Sequence, residues 1–363
     1  MWKNTEVARR LGLAAPIIQG PFGGGISSVD LVVAVCDSGG LGSFGVHHLD
    51  ADGIGDVASR IRARTSAPFA LNLWIPLDDA DEPQIDDAAF ARNAALLQPY
   101  FTELGLQAAQ RPARFAPPYA EQIEAVLKAR PAVLSFVFGI PSPSVLTRCR
   151  ELGIVTLGAA TTVDEAIALE RAGVDMIVAT GFEAGGHRVS FLRSAEESLS
   201  GTFSLIPQVV DAVRIPVIAA GGIADGRGIA AALALGAHGV QIGTAFLACE
   251  ESNADATHRK MLFSPDARYT GLTRVFSGRL ARGIRNRLMN ELQPLATQIP
   301  PYPVQNWFTG IMKKAAAAQE RADLMSLWCG QAAPLLTHRD ARSLMAALVK
   351  ETSSITARWA GDR

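Results

Sequence analysis

The feature that most constrains this fold is a regular alternation of short apolar runs with helical segments. Such alternation is typical of successive strand–helix units and of a parallel sheet. Eight runs have the β-branched and apolar residues of buried strands, and each is followed closely by Gly, Pro, Ser or Asn: 16–19, 40–44, 69–73, 132–136, 154–157, 175–179, 217–220 and 239–242. Eight strands separated by helices predict a closed α/β barrel, the TIM (β/α)8 fold.

The segments between the strands support this prediction. Three of them have clear amphipathic spacing and a glycine where a helix would end: 28–37 before Gly39, 164–172 before Gly173, and 226–235 before Gly236. The alternative is a doubly wound sheet, which usually places a GxGxxG turn after its first strand and an acidic residue about 20 residues later. The first loop here, Gly20-Pro-Phe-Gly-Gly-Gly25, lacks that spacing, so the barrel is favoured.

The chain is longer than a bare barrel, which typically needs about 250 residues. Extra helices are expected after the third strand, between Phe90 and Lys128, and the segment from Glu250 to Ile299 is basic and rich in loop residues. The tail has a helical pattern. We therefore predict a barrel core over 1–250, a largely helical insertion after strand eight over 251–335 at the barrel mouth, and a C-terminal helix over 336–363 that packs on the barrel.

Composition limits the partners. A formal charge of -1 predicts no nucleic-acid or anionic membrane surface, so a small molecule is the expected partner. No apolar run reaches the roughly 18 residues of a membrane helix, and no apolar leader precedes the first strand, so we expect a cytoplasmic protein.

The widely spaced cysteines predict buried, reduced thiols: Cys36, Cys149, Cys249 and Cys329. We predict no metal site, and loop or surface roles for the scattered histidines: His47, His48, His238 and His258.

The most suggestive local pattern is Gly181-Phe-Glu-Ala-Gly-Gly-His187, directly after the strand at 175–179. Glycines let a backbone approach a ligand closely, and histidine is the side chain whose pKa suits proton transfer near neutrality. The alternative is a tight turn with a surface histidine. Glu183 and Asp225 are candidate partners for His187, although carboxylates in loops are usually solvated.

Two further loops predict an anion site. Ala220-Gly-Gly-Ile223 follows the seventh strand and Gln241-Ile-Gly-Thr244 follows the eighth, where barrels commonly bind phosphate. Backbone N–H groups of consecutive glycines can bind phosphate oxygens, although such a pair can also be only a tight turn. Asn72 ends the third strand, where its carboxamide could bind an amide-like heterocycle such as a flavin or simply cap a neighbouring loop.

Together these motifs resemble the nitronate monooxygenase family, the 2-nitropropane dioxygenase-like enzymes, which use FMN on a TIM barrel. The resemblance extends over most of the chain and rests on seven ordered motifs: Pro16–Pro21, Gly39–Ser43, Leu71–Leu73, Gly181–Arg188, Ala220–Ile223, Gln241–Thr244 and Ser277–Gly283. Two tail segments are similar to the bacterial class I group: Pro301–Asn306 and Ser326–Gln331.

The resemblance implies a set of site residues. His187 would be the catalytic base, and the FMN-binding residues would be Gly20, Asn72, Thr180, Gly185, Gly222, Gln241, Ile242, Gly243 and Thr244. Three residues would contact substrate: Phe22, Val137 and Tyr302. The chain departs from the family pattern at three of these positions. Thr180 replaces a frequent Gln, Val137 replaces a His typical of class I, and Phe22 replaces a Met.

The implied reaction is oxidation of alkyl nitronates, such as propionate 3-nitronate, by O₂ to a carbonyl compound and nitrite, without a nicotinamide. The alternative on the same barrel is an FMN-dependent NAD(P)H reductase that acts on a quinone or an enoyl thioester. A third hypothesis is a flavin-binding or ligand-sequestering protein whose catalysis has been lost through the changes at Val137 and Thr180. The sequence is compatible with a homodimer and identifies no interface.

Overall fold

The computed structural model describes residues 2–76 and 85–361. Its strands are β1 (Ile17–Gln19), β2 (Gly42–Gly45), β3 (Phe69–Trp74), β4 (Val133–Val137), β5 (Val155–Ala160), β6 (Met176–Thr180), β7 (Gly186–His187), β8 (Val217–Ala220), β9 (Gly239–Ile242), β10 (Thr270–Thr273) and β11 (Ala281–Ile284). The helices are α1 (Glu6–Leu11), α2 (Val29–Asp37), α3 (Ala51–Arg62), α4 (Asp87–Glu103), α5 (Tyr119–Ala129), α6 (Pro143–Glu151), α7 (Val163–Arg171), α8 (Thr202–Ala212), α9 (Gly226–Ala234), α10 (Thr244–Leu247), α11 (Ala256–Leu262), α12 (Arg287–Leu292), α13 (Val304–Ala318) and α14 (Ala341–Gly361). Short 3₁₀ turns occupy Ala195–Glu197, Pro265–Arg268, Gln293–Gln298, Ala322–Leu324 and Ala333–Leu335.

Eight parallel strands form the barrel in the order β1-β9-β8-β6-β5-β4-β3-β2. The two strands at the ends of this order also meet. The Gln19 N–H donates to the Leu41 carbonyl at 2.9 Å, and the Leu41 N–H donates to the Ile17 carbonyl at 3.0 Å. The predicted TIM barrel and each of its eight predicted strands are therefore confirmed, as are the extra helices α4 and α5 after the third strand.

Alternation along the strands builds two apolar layers. Ile18 and Ile218 pack in a cluster inside the barrel, while the preceding residues Ile17 and Val217 pack outward against the helices. Successive side chains of a strand point to opposite faces, so each strand contributes to both layers. Helix α1 adds side chains to the inner cluster and closes the amino-terminal end of the barrel. The carboxyl end is left for the loops.

The segment after β9 covers that carboxyl end. It has its own apolar core, which includes Phe276, Leu288 and Phe308 together with residues of α4 such as Phe101. The prediction described this insertion as helical, yet it also contains β10 and β11, which form an antiparallel sheet with β7 in the order β10-β11-β7. No helix separates β10 from β11, and they pair antiparallel, so they fall outside the alternation of strands and helices used to find the barrel strands.

The last helix, α14, packs along α9 and α2 on the outside of the barrel. The Glu351 carboxylate accepts a hydrogen bond from the Gly226 N–H at 2.9 Å, which links this helix to the start of α9.

All four cysteines are buried and form no disulfide. Within residues 2–76 and 85–361, no helix combines the length and apolar character needed to cross a membrane.

Candidate active site

A cavity of about 430 Å³ lies at the carboxyl ends of the barrel strands, within the range of about 300–1,000 Å³ that is common for small-molecule sites. Its two sides have different origins. We call the strand-end residues the cavity floor: Gly20, Asn72, Thr180, Gly222, Gln241, Gly243 and Thr244. We call the residues from the segment after β9 the cavity roof: Phe276, Asn306, Thr309, Gly310, Lys313, Ser326 and Trp328.

Most of the residues named from the sequence line this one cavity. Besides the floor residues, its wall includes Phe22, Val137, Gly185 and His187. Ile242 and Tyr302 do not line it. Strand alternation directs the Ile242 side chain into the core between barrel and helices, where it is buried, and Tyr302 packs behind the wall against the Trp74 ring, with a centroid distance of 5.1 Å.

His187 is held by the segment after β9. It lies on β7 and pairs with Ala281 of β11, and its Nε2 is 2.7 Å from the Ser277 hydroxyl. That hydroxyl also donates to the Arg279 carbonyl at 3.1 Å. If the Ser277 hydroxyl donates its proton to the Arg279 carbonyl, its oxygen can only accept a hydrogen bond from His187. Nε2 then carries the ring proton, and Nδ1 keeps its lone pair. No described residue bonds to Nδ1. In that tautomer, an imidazole nitrogen with an available lone pair is part of the cavity wall.

The environment keeps the His187 ring neutral. Burial, with a further contribution from the positive charge of Arg279, lowers the pKa of His187 to about 3. Desolvation and a nearby cation both disfavour imidazolium. The ring is therefore not protonated at neutral pH.

The two carboxylates suggested as partners of His187 have other roles. Glu183 accepts hydrogen bonds from the Thr202 N–H and hydroxyl, both at 2.9 Å. Asp225 caps α9 by accepting from the Arg227 N–H at 2.9 Å. The idea that either carboxylate orients His187 is wrong. The hydrogen-bond partner of His187 is instead the Ser277 hydroxyl, from a distant part of the chain.

Backbone groups of the floor are free to bind a ligand. Gly222 has a left-handed φ of 71°, and no described residue accepts a hydrogen bond from its N–H or from that of Gly243. Gly185 approaches the roof so closely that a Cβ there would lie 2.5 Å from the Gly330 nitrogen. The Thr244 hydroxyl accepts from that same nitrogen at 2.9 Å. The predicted phosphate loops therefore form one glycine-lined concavity.

Two carboxamides face the same cavity. Asn72 donates through Nδ2 to the Ser135 hydroxyl at 3.0 Å, which leaves its carbonyl oxygen for a ligand. The Gln241 carboxamide has no hydrogen-bond partner among the described residues. Amide groups of this kind pair with the polar edge of a flat heterocycle. Free backbone donors at one place and carboxamides at another fit a ligand that has both a phosphate and an amide-like ring, as FMN does.

Two histidines that we expected to have loop or surface roles also line the cavity. His47 stacks on Trp74 with ring centroids 3.9 Å apart, and Trp74 meets His187 edge to face at 4.9 Å. Burial holds the pKa of His47 well below its usual range and lowers that of His48. The Nδ1 atoms of both rings are buried and bond to no described residue. Their position after a barrel strand was the signal that could have identified them, because active-site residues concentrate there.

Comparison with known proteins agrees with this geometry. The family model described as nitronate monooxygenase matches residues 6–351. The chain belongs to the nitronate monooxygenase family. A probable nitronate monooxygenase from Staphylococcus aureus is 39% identical over 356 residues, which is 98% of this chain and 99% of that protein.

Two solved structures extend the comparison. The nitroalkane oxidase from Streptomyces ansochromogenes has a TM-score of 0.88 and 36% identity, covering 97% of this chain and 99% of that one. FabK from Thermotoga maritima has a TM-score of 0.77 and 25% identity, covering 99% of each chain. Family membership makes the chain an oxidoreductase enzyme, as predicted.

The roof of this nitronate monooxygenase family member was not predicted residue by residue. Trp328 lies 5.3 Å from His187 and 5.7 Å from Phe276, measured between ring centroids. Thr309 donates to the Phe276 carbonyl, which ties α13 to the turn that contains Ser277. These residues come from separate parts of the chain and have no shared motif, so only the folded structure shows that they meet.

Proposed function

We propose that this chain is an FMN-dependent enzyme that oxidises alkyl nitronates, such as propionate 3-nitronate, with O₂ to a carbonyl compound and nitrite. In this proposal His187 is the base that converts a neutral nitroalkane into its nitronate. The observation that carries it is the state of His187: a neutral imidazole in the cavity wall, with Nε2 bonded to Ser277 and no described partner on Nδ1.

The floor residues have the chemistry needed to bind FMN. Gly222, Gly243 and Thr244 would bind the phosphate, while Asn72 and Gln241 would bind the polar edge of the ring. Gly20, Thr180 and Gly185 would contact the ring through small or backbone groups. When bound, FMN would supply the electron acceptor that none of these side chains provides.

The chain's own side chains would handle the proton and the charge. Nδ1 of His187 takes the proton from the carbon beside the nitro group, and Ser277 holds the ring in the orientation that this transfer needs. The product is an anion, which requires hydrogen-bond donors in a partly desolvated cavity. His47 and His48 are neutral and provide N–H groups on the same wall, while Phe22 and Val137 provide apolar contact.

Oxygen-dependent nitrite release from nitroethane and from preformed ethyl nitronate tests the proposal. The wild-type enzyme should release nitrite from both. His187→Ala should keep its flavin, yet lose about 10²- to 10⁴-fold of its rate on nitroethane, the usual contribution of a general base. His338→Ala is the matched control, because His338 does not line the cavity. Undiminished nitrite release from nitroethane by His187→Ala would exclude His187 as the base.

Anaerobic mixing separates this activity from the reductase alternative. We expect the flavin absorbance to change on mixing with propionate 3-nitronate and to remain unchanged with NADPH. Rapid bleaching by NADPH with no response to the nitronate would instead identify a reductase on the same barrel. Bound flavin that responds to neither compound would indicate a binding protein without catalysis.

A further inference from the structure

One face of α13 contributes a polar strip to the cavity roof. Asn306, Thr309, Gly310 and Lys313 all line the cavity. They are spaced at i, i+3, i+4 and i+7, which places them on one side of a helix. The other side, represented by Phe308, is buried in the core of the segment after β9. The helix thus presents a polar face, with one glycine, to the cavity.

Lys313 is the cation of this strip. No described residue forms an ion pair or a hydrogen bond with its ammonium group. Asp255, the carboxylate that influences it most, caps α11 by accepting from the Thr257 N–H at 2.7 Å. Burial lowers the pKa of Lys313 to about 8, so the group still carries its charge at neutral pH. A desolvated cation without a partner is costly, and a bound anion would remove that cost.

The strip also has room for a ligand. A Cβ added to Gly310 would meet nothing within 4 Å, so the space beside it is open. Gly310 is itself exposed, so a ligand can reach this space. Asn306 is exposed, and its carboxamide forms no hydrogen bond with a described residue, so it can donate to a ligand. A donor amide, an open space and a cation therefore lie along successive turns of one helix.

We propose that this face of α13 is an anion-binding subsite, in which Lys313 and Asn306 bind a carboxylate or phosphate group beside Gly310. One source of that anion is a carboxylate on the substrate, at a distance from the nitronate carbon. For this source, the inference rests on the proposed function. The other source is the phosphate of FMN. The free backbone donors at Gly222 and Gly243 already suit a phosphate, which favours the substrate carboxylate at α13.

The test compares Lys313→Met, which removes the charge at similar length, with Lys313→Arg, which keeps it. Lys314→Met is the matched control, because Lys314 is the next residue of the helix and is exposed. KM and kcat are measured on each holoenzyme with propionate 3-nitronate and with ethyl nitronate, which lacks the carboxylate. The dissociation constant of FMN is measured separately by flavin fluorescence.

For a substrate carboxylate, Lys313→Met should raise KM for propionate 3-nitronate at least tenfold and leave KM for ethyl nitronate within about twofold, since a charge-assisted hydrogen bond contributes about 1.5–3 kcal/mol. Lys313→Arg should retain most of the affinity. If Lys313→Met instead weakens FMN binding tenfold and affects both nitronates alike, the subsite holds the flavin phosphate. If neither the KM values nor FMN binding change, there is no anion subsite.

A titration that needs no turnover separates this inference from the proposed function. Succinate is added to the holoenzyme, and the flavin absorbance is followed. Saturable perturbation in the wild type and in Lys314→Met, together with its loss in Lys313→Met, would support the subsite even if no nitronate were oxidised. The same response in wild type and Lys313→Met, together with equal KM changes for both nitronates, would overturn the substrate assignment.

Discussion

The floor and the roof of the cavity are built on different principles. The floor uses backbone: the glycines after β8 and β9, Gly222 and Gly243, have N–H groups from which no described residue accepts a hydrogen bond, and few side chains are needed. The roof uses side chains from α13 and from the segments around Phe276 and Trp328, which are held by contacts between distant parts of the chain. His187 lies between them, because it follows a barrel strand but pairs with β11.

This difference separates binding from reactivity. A barrel can bind a phosphate ligand with its own strand-end loops, since these are fixed by the strands and helices on either side. In the proposed function, the orientation of the base, His187, and the charge of Lys313 that faces the ligand depend on the added segment. Changes to the floor should therefore affect cofactor affinity, and changes to the roof should affect the proton transfer and the choice of substrate.

The largest effect is expected where floor and roof touch. In Gly185→Ala, the new methyl would lie 2.5 Å from the Gly330 nitrogen and 2.7 Å from the Cys329 carbonyl carbon, so backbone must move. We expect a loss of about 2–3 kcal/mol in the free energy of unfolding, measured by thermal or urea denaturation. Gly55→Ala is the control, because this helix position has nothing within 4 Å and should be unchanged or stabilised. Equal stability of both variants would show that the two sides do not meet so closely.

A smaller effect is expected for the roof's contact with the base. Ser277→Ala removes the partner of His187 Nε2, and one hydrogen bond contributes about 1 kcal/mol, or roughly fivefold to tenfold in rate. The loss should fall on kcat for nitroethane, with FMN affinity unchanged. The contrasting floor variant is Ser135→Ala, which removes the partner of Asn72 and should weaken FMN binding instead. If Ser277→Ala weakened FMN binding and Ser135→Ala lowered kcat, the division between the two sides of the cavity would be contradicted.

The smallest effect is expected from pH. Because the pKa of His187 is lowered to about 3, the ring is neutral throughout the range from pH 5 to 8. The rate on nitroethane should therefore not fall between pH 8 and pH 5 in the way that protonation of an ordinary imidazole would cause. Arg279→Met should raise the pKa of His187, since the arginine charge contributes to lowering it, and should move the acid limb upward. A wild-type rate that falls below pH 6.5 would contradict the lowered pKa of His187.

The sequence was informative about the barrel and its floor. Each barrel strand is a local run with its own pattern, and the glycine loops follow directly from strands β8 and β9. Ile242 belongs to the Gln241–Thr244 motif that predicts the cofactor site, but strand alternation directs its side chain outward into the core between barrel and helices.

The roof could not be predicted in the same way. Lys313 lies in a helix that has an ordinary amphipathic pattern, and nothing local indicates which of its faces meets a cavity. Ser277 was within a recognised motif, yet its hydrogen bond to His187 depends on the pairing of two short strands. Such contacts are set by tertiary packing, which local propensities do not encode.

The pairing of β7 with β11 also matters during protein synthesis. A ribosome completes the floor once Thr244 has been added, whereas Ser277, Lys313 and Trp328 are added later. Until then the barrel mouth is uncovered, and His187 has neither its strand partner nor its hydroxyl partner. The order of synthesis thus places the strand-end residues of the cavity before the residues that cover them and hold His187.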